Sequence, residues 1–388
     1  MVSSRLLIWM VFFGALGLSI PAIYTERFFN IVPFHYVFYY IFSLLVIAFG
    51  PGKVKLGQLF SFYLAFFSFY FIFSMFITTD LGSTLLYYCL WISNLLVFLA
   101  FKNVTEESLK SFSIGYIYFV IFSLIVGLAY YFAGASHANP YVAWDKNNFS
   151  FVVFVAFVLA IFTGKRKAAY FIVILSVFIF SRTLIFMYAV FLLAYIFRTT
   201  SNKVKLLGKI FLFFIVIFVV AGLATYLAPD NFLVKRMAGA FALMVSIFEY
   251  FKSGSLQFDS GIDDWRRYYL MIFNMQIIYN TFPVGTGMGL ANYLNYFNID
   301  GISLVGRPAR AHSFVISYLA EMGVLFFVFI FLIYLNLTRS KSAIFFAASV
   351  GVVAGMLTNE YITAPMIWML FGLALNRNIA NFNLKKNV

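Results

Sequence analysis

The chain has 388 residues, of which 64% are hydrophobic and only 10% are charged. A soluble globular domain carries about 25% charged residues, so this composition excludes a water-soluble protein. The aromatic share of 22% argues against disorder, because disordered segments are poor in aromatic residues. The single cysteine excludes an intrachain disulfide framework and a cysteine-based metal site. The three histidines leave little material for a histidine-based metal site. The class that remains is an all-α polytopic membrane protein.

Eight apolar segments are predicted to cross the membrane as helices, because about 20 apolar residues at 1.5 Å each span the hydrocarbon of about 30 Å. The first is interpreted as a span and not as a cleaved signal peptide, since no small-residue cleavage site follows it. In chain order the segments are Leu6–Tyr24, Ile31–Phe49, Gly57–Ile77, Gly82–Phe101, Ser113–Ala133, Asn148–Phe162, Leu207–Leu227 and His312–Leu337.

Two longer apolar stretches are predicted to be helical hairpins. Ala168–Phe197 is apolar except at Ser181–Arg182, and a single helix of that length would measure about 45 Å. Basic clusters flank the stretch on both sides, so a hairpin keeps both clusters on one side of the membrane. Ser342–Asn376 is interpreted in the same way, which brings the total to about twelve spans.

Lysine and arginine are concentrated in alternate loops, and the positive-inside rule therefore predicts that both termini are cytoplasmic. The net charge of +14 is interpreted as a topology signal and not as a nucleic-acid footprint, because no basic stripe is interleaved with stacking aromatics. The predicted division is nine transmembrane helices over 1–227, a large loop on the outer side over 228–311 and three transmembrane helices over 312–388.

The large loop stands out because the other loops are short, and loops of such length are commonly functional. Within it, Arg236–Phe251 and Trp265–Tyr279 are semi-apolar and are predicted to form helices that lie across the outer mouth of the protein. The intervening Lys252–Asp264 is rich in glycine, serine and aspartate and is predicted to be a loop.

Arg182 is the first candidate functional side chain, because ionisable groups inside membrane segments are costly. Each arm of its hairpin has about 14 residues and spans only about 21 Å, so the turn at Ser181–Arg182 is expected to lie below the outer surface. A guanidinium held there is suited to bind a phosphate through two hydrogen bonds. The alternative is a structural arginine that snorkels or forms an ion pair.

His312 begins the span that follows the large loop. A neutral imidazole at a helix start is suited to act as a general base near pH 7, and the helix dipole disfavours its protonation. The alternative is a purely structural histidine. Glu321 lies about 13 Å further along the same helix and half a turn away, so it is expected to pair with a neighbouring helix and not with His312.

Further charged residues of the large loop form a candidate cationic cluster for a pyrophosphate, or else pair with one another. The arginines of this group are Arg266, Arg267, Arg307 and Arg310, and the aspartates are Asp259, Asp263 and Asp264. The aspartates have no recognisable ligand spacing, so no metal site is expected. Pro283–Gly289 has the glycines of a turn. A dinucleotide-binding loop follows a strand, whereas this segment follows a helix-like stretch, so that interpretation is excluded.

Four stretches carry a resemblance to a known family. Ser181-Arg182-Thr183 resembles a Ser/Thr-Arg span, and Arg267 followed by the turn Pro283–Gly287 resembles an Arg with a later Pro-x-Gly-x-Gly turn, although Arg266 is an alternative register. The segment 312–323 resembles a His-Asn…Glu-x-Gly signature, with Ser in place of Asn. Pro365–Trp368 is similar to a Pro/Trp-containing terminal helix. Together these features resemble the O-antigen ligase/O-antigen polymerase superfamily of bacterial membrane glycosyltransferases.

The resemblance implies a GT-C-like helical fold and an inverting glycosyl transfer that needs neither metal nor cofactor. The donor would be a glycan on undecaprenyl pyrophosphate, in the periplasmic leaflet of the bacterial inner membrane. By the resemblance, Arg182 and Arg267 are catalytic residues that bind the pyrophosphate and stabilise the leaving group. His312 would orient or deprotonate the acceptor hydroxyl. The further candidate substrate-binding residues are Arg266, Arg307, Arg310 and Glu321.

The identity of the acceptor separates two activities. A polymerase would use another lipid-linked repeat unit, and a ligase would use lipid A core; the short, phenylalanine-rich chain slightly favours the polymerase. A lipid-linked glycan flippase stays open, although transporters commonly show repeated halves that this sequence lacks. A metal-dependent glycosyltransferase would have only Glu26 in the first outer loop. Expected partners are the lipid-linked oligosaccharide, the acceptor glycan, membrane lipids and a regulator of chain length, and no nucleic acid.

Overall fold

The computed structural model describes residues 4–19, 34–50, 54–135, 140, 146–179, 181–201, 208, 265–296, 313–357, 359 and 361–380. Several predictions therefore concern segments outside the described residues. They are the span Leu207–Leu227, the loop helix Arg236–Phe251, the loop Lys252–Asp264, and the positions Asp259, Asp263, Asp264, Arg307, Arg310 and His312.

The described part of the chain is all-α and contains no strand. Four of its helices, α3, α4, α5 and α8, are long and apolar enough to cross a membrane. The helices are α1 (Ser4–Ser19), α2 (Phe34–Phe49), α3 (Gln58–Ile77), α4 (Leu81–Asn103), α5 (Glu106–Phe132), α6 (Lys146–Phe162), α7 (Arg166–Ser176), α8 (Arg182–Thr199), α9 (Trp265–Thr281), α10 (Leu290–Asn295), α11 (Phe314–Met322), α12 (Leu325–Thr338), α13 (Ala343–Leu357), α14 (Pro365–Leu375) and α15 (Arg377–Ala380).

The first six predicted spans each correspond to one helix, but α5 begins seven residues before the predicted start at Ser113. Thr105 caps the helix: its side chain accepts the N–H of Ser108 at 3.3 Å. Glu106 and Glu107 occupy the first turn, where carboxylates stabilise the positive end of the helix dipole. The apolar window therefore missed a polar first turn that the capping residues specify.

Both long apolar stretches turn back on themselves. Tyr188 and Ser176 are 12 residues apart but their hydroxyls lie 3.4 Å from each other, whereas a straight helix would separate them by about 18 Å. In the second hairpin, the N–H of Lys341 donates to the carbonyl of Ala374 at 2.8 Å. The breaks lie at a short 3-10 turn, Val177–Ile179, and at a second one beyond α13.

The predicted single span His312–Leu337 is instead two helices, α11 and α12, with a break at Gly323. Gly323 has φ +56°, a left-handed conformation that a helix cannot continue through. The prediction of one continuous helix was wrong. The helix breaks where another segment of the chain contacts its backbone, and the apolar pattern of the sequence contains no information about that contact.

Contacts among four loops gather basic residues at one end of the helical bundle. Lys102 Nζ donates to the carbonyl of Lys55 at 3.0 Å. Asn376 donates to the main chain at the end of α4 at 2.9 Å, and Arg198 donates to the carbonyl of Ser340 at 3.5 Å. The basic end is defined by Lys55, Lys102, Arg198, Arg339, Lys341 and Arg377.

Aromatic side chains fill the core between α3, α4, α12 and α14. The rings of Phe67 and Trp91 stack with centroids 4.4 Å apart, and Trp368 lies edge-on to Trp91 at 5.9 Å. Trp368 also donates its indole N–H to the carbonyl of Ile362 at 2.8 Å, which fixes the 3-10 turn before α14. Residues 365–374 are all buried, so α14 is an interior helix of 11 residues and measures only about 16 Å.

Candidate functional site

Arg182 is the first residue of α8, and Ser181 immediately before it is the N-cap. Ser181 Oγ accepts the N–H of Leu184 at 3.3 Å and donates to Asn147 Oδ1 at 3.3 Å. Ser181 is buried, whereas the Arg182 side chain is exposed. The helix start is thus anchored by its cap to α6, and the guanidinium extends from the positive end of a helix dipole, where anions are stabilised.

The two hairpin tips meet beside this cap. Asn359, between α13 and the next 3-10 turn, donates its side-chain amide to Thr183 Oγ1 at 2.7 Å. Both residues are buried. The helices α6 and α8 both begin in this region, since Asn147 and Thr183 belong to their first turns. Their partial positive charges therefore add to that of Arg182.

The turn Pro283–Gly289 docks on the end of α11. The N–H groups of Thr286 and Gly287 donate to the carbonyls of Ala320 and Glu321 at 3.0 and 3.1 Å, and the N–H of Val324 donates to the carbonyl of Pro283 at 2.9 Å. Main-chain groups thus join two segments that are about 40 residues apart in the sequence. The turn and the break in α11–α12 are one structural unit.

Glycine is required where the two segments touch. A Cβ on Gly285 would lie 2.5 Å from the carbonyl oxygen of Glu321 and 2.6 Å from the amide nitrogen of Gly323. A Cβ on Gly323 would overlap the carbonyl oxygen of Pro283. Both glycines also have positive φ, +82° and +56°. The two glycine motifs noted in the sequence therefore depend on each other, because each leaves room for the backbone of its partner.

Glu321 is fully buried, and its carboxylate is engaged with the docked turn. Oε1 accepts the N–H of Gly289 at 3.3 Å. Its main-chain carbonyl accepts the hydroxyl of Tyr70 on α3 at 3.1 Å. The carboxylate of Glu321 was expected to pair with a neighbouring helix, but its described contact is with the docked turn. The contact with the helix α3 is made by the main-chain carbonyl. Burial of a carboxylate is costly unless hydrogen-bond donors reach it, as the N–H of Gly289 does here.

Asn292 is a second anchor of this unit, and the sequence analysis did not single it out. Its Oδ1 accepts the N–H groups of Thr79 and Asp80 at 3.1 and 2.9 Å. Its Nδ2 donates to Thr84 Oγ1 at 2.9 Å and to the carbonyl of Met288 at 2.8 Å. A buried amide with this many partners fixes α10 to the turn between α3 and α4.

A small apolar core, separate from the main core, joins α9, α10 and α11. It contains Leu270 and Ile277 of α9, Tyr293 of α10 and Ala320 of α11, all at 1% exposure or less. The structure thereby brings the helix that begins at Trp265 against the helix that begins just after His312. Arg266 and Arg267 lie in the first turn of α9, and their side chains are outside the described atoms.

The structure describes the surroundings of two predicted site residues, Arg182 and Glu321. It places them in two polar regions, one at the hairpin tips and one at the docked turn. Three buried asparagines, Asn147, Asn292 and Asn359, organise these regions, and the sequence analysis passed over the last two. The available signal was a polar side chain in or beside a strongly apolar segment, which is costly unless it has partners.

Comparison of the chain with known protein families finds no matching model, and a search of curated proteins finds no match.

Proposed function

We propose that this chain is a membrane glycosyltransferase that polymerises a glycan carried on undecaprenyl pyrophosphate. The observation that carries the proposal is the docking of the Pro283–Gly289 turn on the Glu321–Gly323 segment. These are two of the stretches on which the resemblance to the O-antigen ligase/polymerase superfamily rests. Their direct contact brings α9, which bears Arg266 and Arg267, against α11, which follows His312.

The electrostatics at the hairpin tips support binding of an anionic donor group. Arg182 is exposed at the start of α8, and its helix is held by a buried cap. A planar guanidinium binds two phosphate oxygens at once, and nearby helix N-termini add favourable partial charge. In the proposal Arg182 binds the pyrophosphate of the donor together with Arg267, and Arg266, Arg307 and Arg310 are further candidate ligands.

The proposed reaction is a displacement at the anomeric carbon of the donor sugar. The acceptor hydroxyl gives its proton to His312 while its oxygen forms the new glycosidic bond. The bond from the anomeric carbon to the phosphate oxygen breaks, and undecaprenyl pyrophosphate leaves with the electron pair. Because the leaving group is already an anion of low basicity, positioning and charge stabilisation carry most of the catalysis. Glu321, a further candidate substrate-binding residue, contacts the docked turn.

The proposed setting is the bacterial inner membrane, with the site facing the periplasm. The GT-C-like fold and about twelve spans belong to this proposal. A ligase that transfers the glycan to lipid A core is the second candidate, and the same residues would perform its chemistry. The proposed partners are the lipid-linked glycan, the acceptor glycan, membrane lipids and a protein that regulates chain length.

Deletion of the gene in its host, followed by gel analysis of lipopolysaccharide, tests the proposal. Core that bears a single repeat unit is the result expected of a polymerase. Core without repeat units, together with polymer on the lipid carrier, would instead indicate the ligase. Repeat units that accumulate on the cytoplasmic leaflet would overturn the enzyme proposal in favour of a flippase. Complementation with the wild type and with His312→Ala separates loss of chemistry from loss of the protein.

A further inference from the structure

We infer that residues 282–289 form a re-entrant turn inside the hydrocarbon of the membrane, with its outward-facing side in contact with lipid chains. The sequence predicts the same segment to belong to a loop outside the membrane. The inference requires that α3 crosses the membrane, and it is independent of the proposed glycosyl transfer.

The depth of the turn follows from two helices that serve as rulers from the basic end. Tyr70 is twelve residues after Gln58, the first residue of α3, and thus about 18 Å above it. Its hydroxyl donates to the carbonyl of Glu321, which also accepts the N–H of Gly287. The helix α12 has 14 residues and measures about 21 Å; at its upper end Val324 donates to the carbonyl of Pro283.

Both rulers place the turn about 20 Å from the basic end, whereas the hydrocarbon is about 30 Å thick. The turn thus lies about 10 Å below the opposite boundary. The chain then rises along α3. The N–H of Met288 donates to Ser74 Oγ at 2.9 Å, and Asn292 reaches the N–H of Asp80, beyond the end of α3, at 2.9 Å. This order of contacts describes a segment that dips and returns.

The pattern of exposure is the one that this depth demands. Non-helical backbone at membrane depth must be covered by protein, and Gly285–Gly289 are all buried. The residues that face outward are apolar: Phe282 is 51% exposed and Val284 is 40% exposed. Their N–H groups donate to Ile278 and Thr281 of α9 at 2.9 and 3.0 Å. The outward-facing side therefore presents no unpaired N–H to the lipid.

The outward-facing side of the turn is continuous with a lipid-facing helix surface. Val324, whose N–H binds Pro283, is 50% exposed, and Phe327 on the next turn of α12 is 58% exposed. An apolar surface at the depth and orientation of a membrane helix face is expected to be covered by the acyl chains of the bilayer. The proposed occupant is therefore lipid, and an aqueous or protein-covered surface is an outcome that the test distinguishes.

The test measures the environment of a spin label at Val284→Cys in liposomes, with Cys89→Ser as the background so that no other thiol is present. Accessibility to oxygen, which concentrates in lipid, is compared with accessibility to a water-soluble nickel complex. Phe327→Cys is the lipid-facing control, and Asn295→Cys, on the exposed side of α10, is the control near the boundary. We expect position 284 to match 327 and to exceed 295 several-fold in the ratio of oxygen to nickel accessibility.

A label at position 284 that behaves like the label at 295 would overturn the inference, because the turn would then be in water. Low accessibility to both reagents would also overturn it, since protein would cover the surface. Phe282→Cys provides a second site if the first variant fails to fold, and the same ratio is expected there. The measurement does not depend on enzymatic activity, so its result is independent of whether the proposed function is correct.

Discussion

The side-chain amide of Asn359 donates a 2.7 Å hydrogen bond to Thr183 Oγ1 and so joins the tips of two helical hairpins. Thr183 follows Arg182 directly, and Ser181 on its other side is bonded to Asn147. The position of Arg182 is thus set by two other parts of the chain, at Asn147 and at Asn359. The hydrogen bond is buried, and loss of one partner leaves the other without its described contact.

A double-mutant cycle tests the coupling between the hairpin tips. Thr183→Val and Asn359→Ala are each expected to lower the free energy of unfolding by about 1–3 kcal/mol, because each removes a buried hydrogen bond between polar side chains. The double variant is expected to lose less than the sum, with an interaction energy of about 1 kcal/mol. Thermal unfolding in detergent is the measurement. Strict additivity would contradict the contact.

The contact between the two glycine-containing segments predicts that a single added methyl group lowers the stability of the protein substantially. Gly323→Ala is expected to destabilise the protein by about 2–4 kcal/mol, since it combines a strained φ with overlap on the main chain of Pro283. Gly17→Ala is the matched control, because that added Cβ meets nothing within 4 Å. It is expected to change stability by less than about 1 kcal/mol, in the stabilising direction. Equal melting temperatures for the two variants would argue against the docked turn.

Asn292 and Asn295 form a natural pair for testing the anchor of α10. Asn292 is buried and multiply bonded, whereas Asn295 is exposed and donates one bond, to Thr79 Oγ1 at 2.7 Å. Asn292→Ala is expected to lower the melting temperature clearly, because it removes the described acceptor of the Thr79 N–H and one of the two acceptors of the Asp80 N–H, at a cost of about 1–3 kcal/mol. Asn295→Ala is expected to stay within about 0.5 kcal/mol of the wild type. The reverse order would refute the assignment of Asn292 as the anchor.

The proposed phosphate contact of Arg182 predicts that charge alone is not sufficient. Arg182→Lys keeps the charge but loses the planar, bidentate geometry, and it is expected to reduce glycan transfer on the order of 10²-fold. Arg198→Lys is the control, since that guanidinium lies at the basic end over the ring of Phe346 at 5.1 Å. Transfer is measured as glycan length on gels at matched protein levels. Wild-type transfer by Arg182→Lys would exclude the bidentate role.

Much of the fold follows from apolar length and flanking charge, and the two hairpins show why. The stretch Ala168–Phe197 is too long for one span, and its basic flanks demand a return, which the Ser176–Tyr188 contact displays. The break at Gly323 was not predictable in the same way. The break allows the backbone near Pro283 to pack against the end of α11. Hydropathy describes the apolar character of one segment and does not predict its contact with another.

In the candidate site, too, some residues could be predicted from the sequence and others could not. Arg182 was accessible to sequence reasoning, because a charge in an apolar stretch is conspicuous. Asn292 was not, since its importance lies in the number of donors and acceptors that the α3–α4 turn and Met288 present to it. Glu321 was placed on a helix and expected to pair with a neighbouring helix, but the described partner of its carboxylate, the N–H of Gly289, carries no sequence signal of its own.

Reconstitution of the purified protein tests the central claim most directly. Liposomes would contain the wild type together with lipid-linked oligosaccharide extracted from the deletion strain, in the presence of EDTA. We expect release of undecaprenyl pyrophosphate and growth of the lipid-linked glycan, both strongly reduced by His312→Ala and Arg182→Lys in folded protein. An unchanged glycolipid that merely moves between leaflets, or equal product from His312→Ala, would contradict the account.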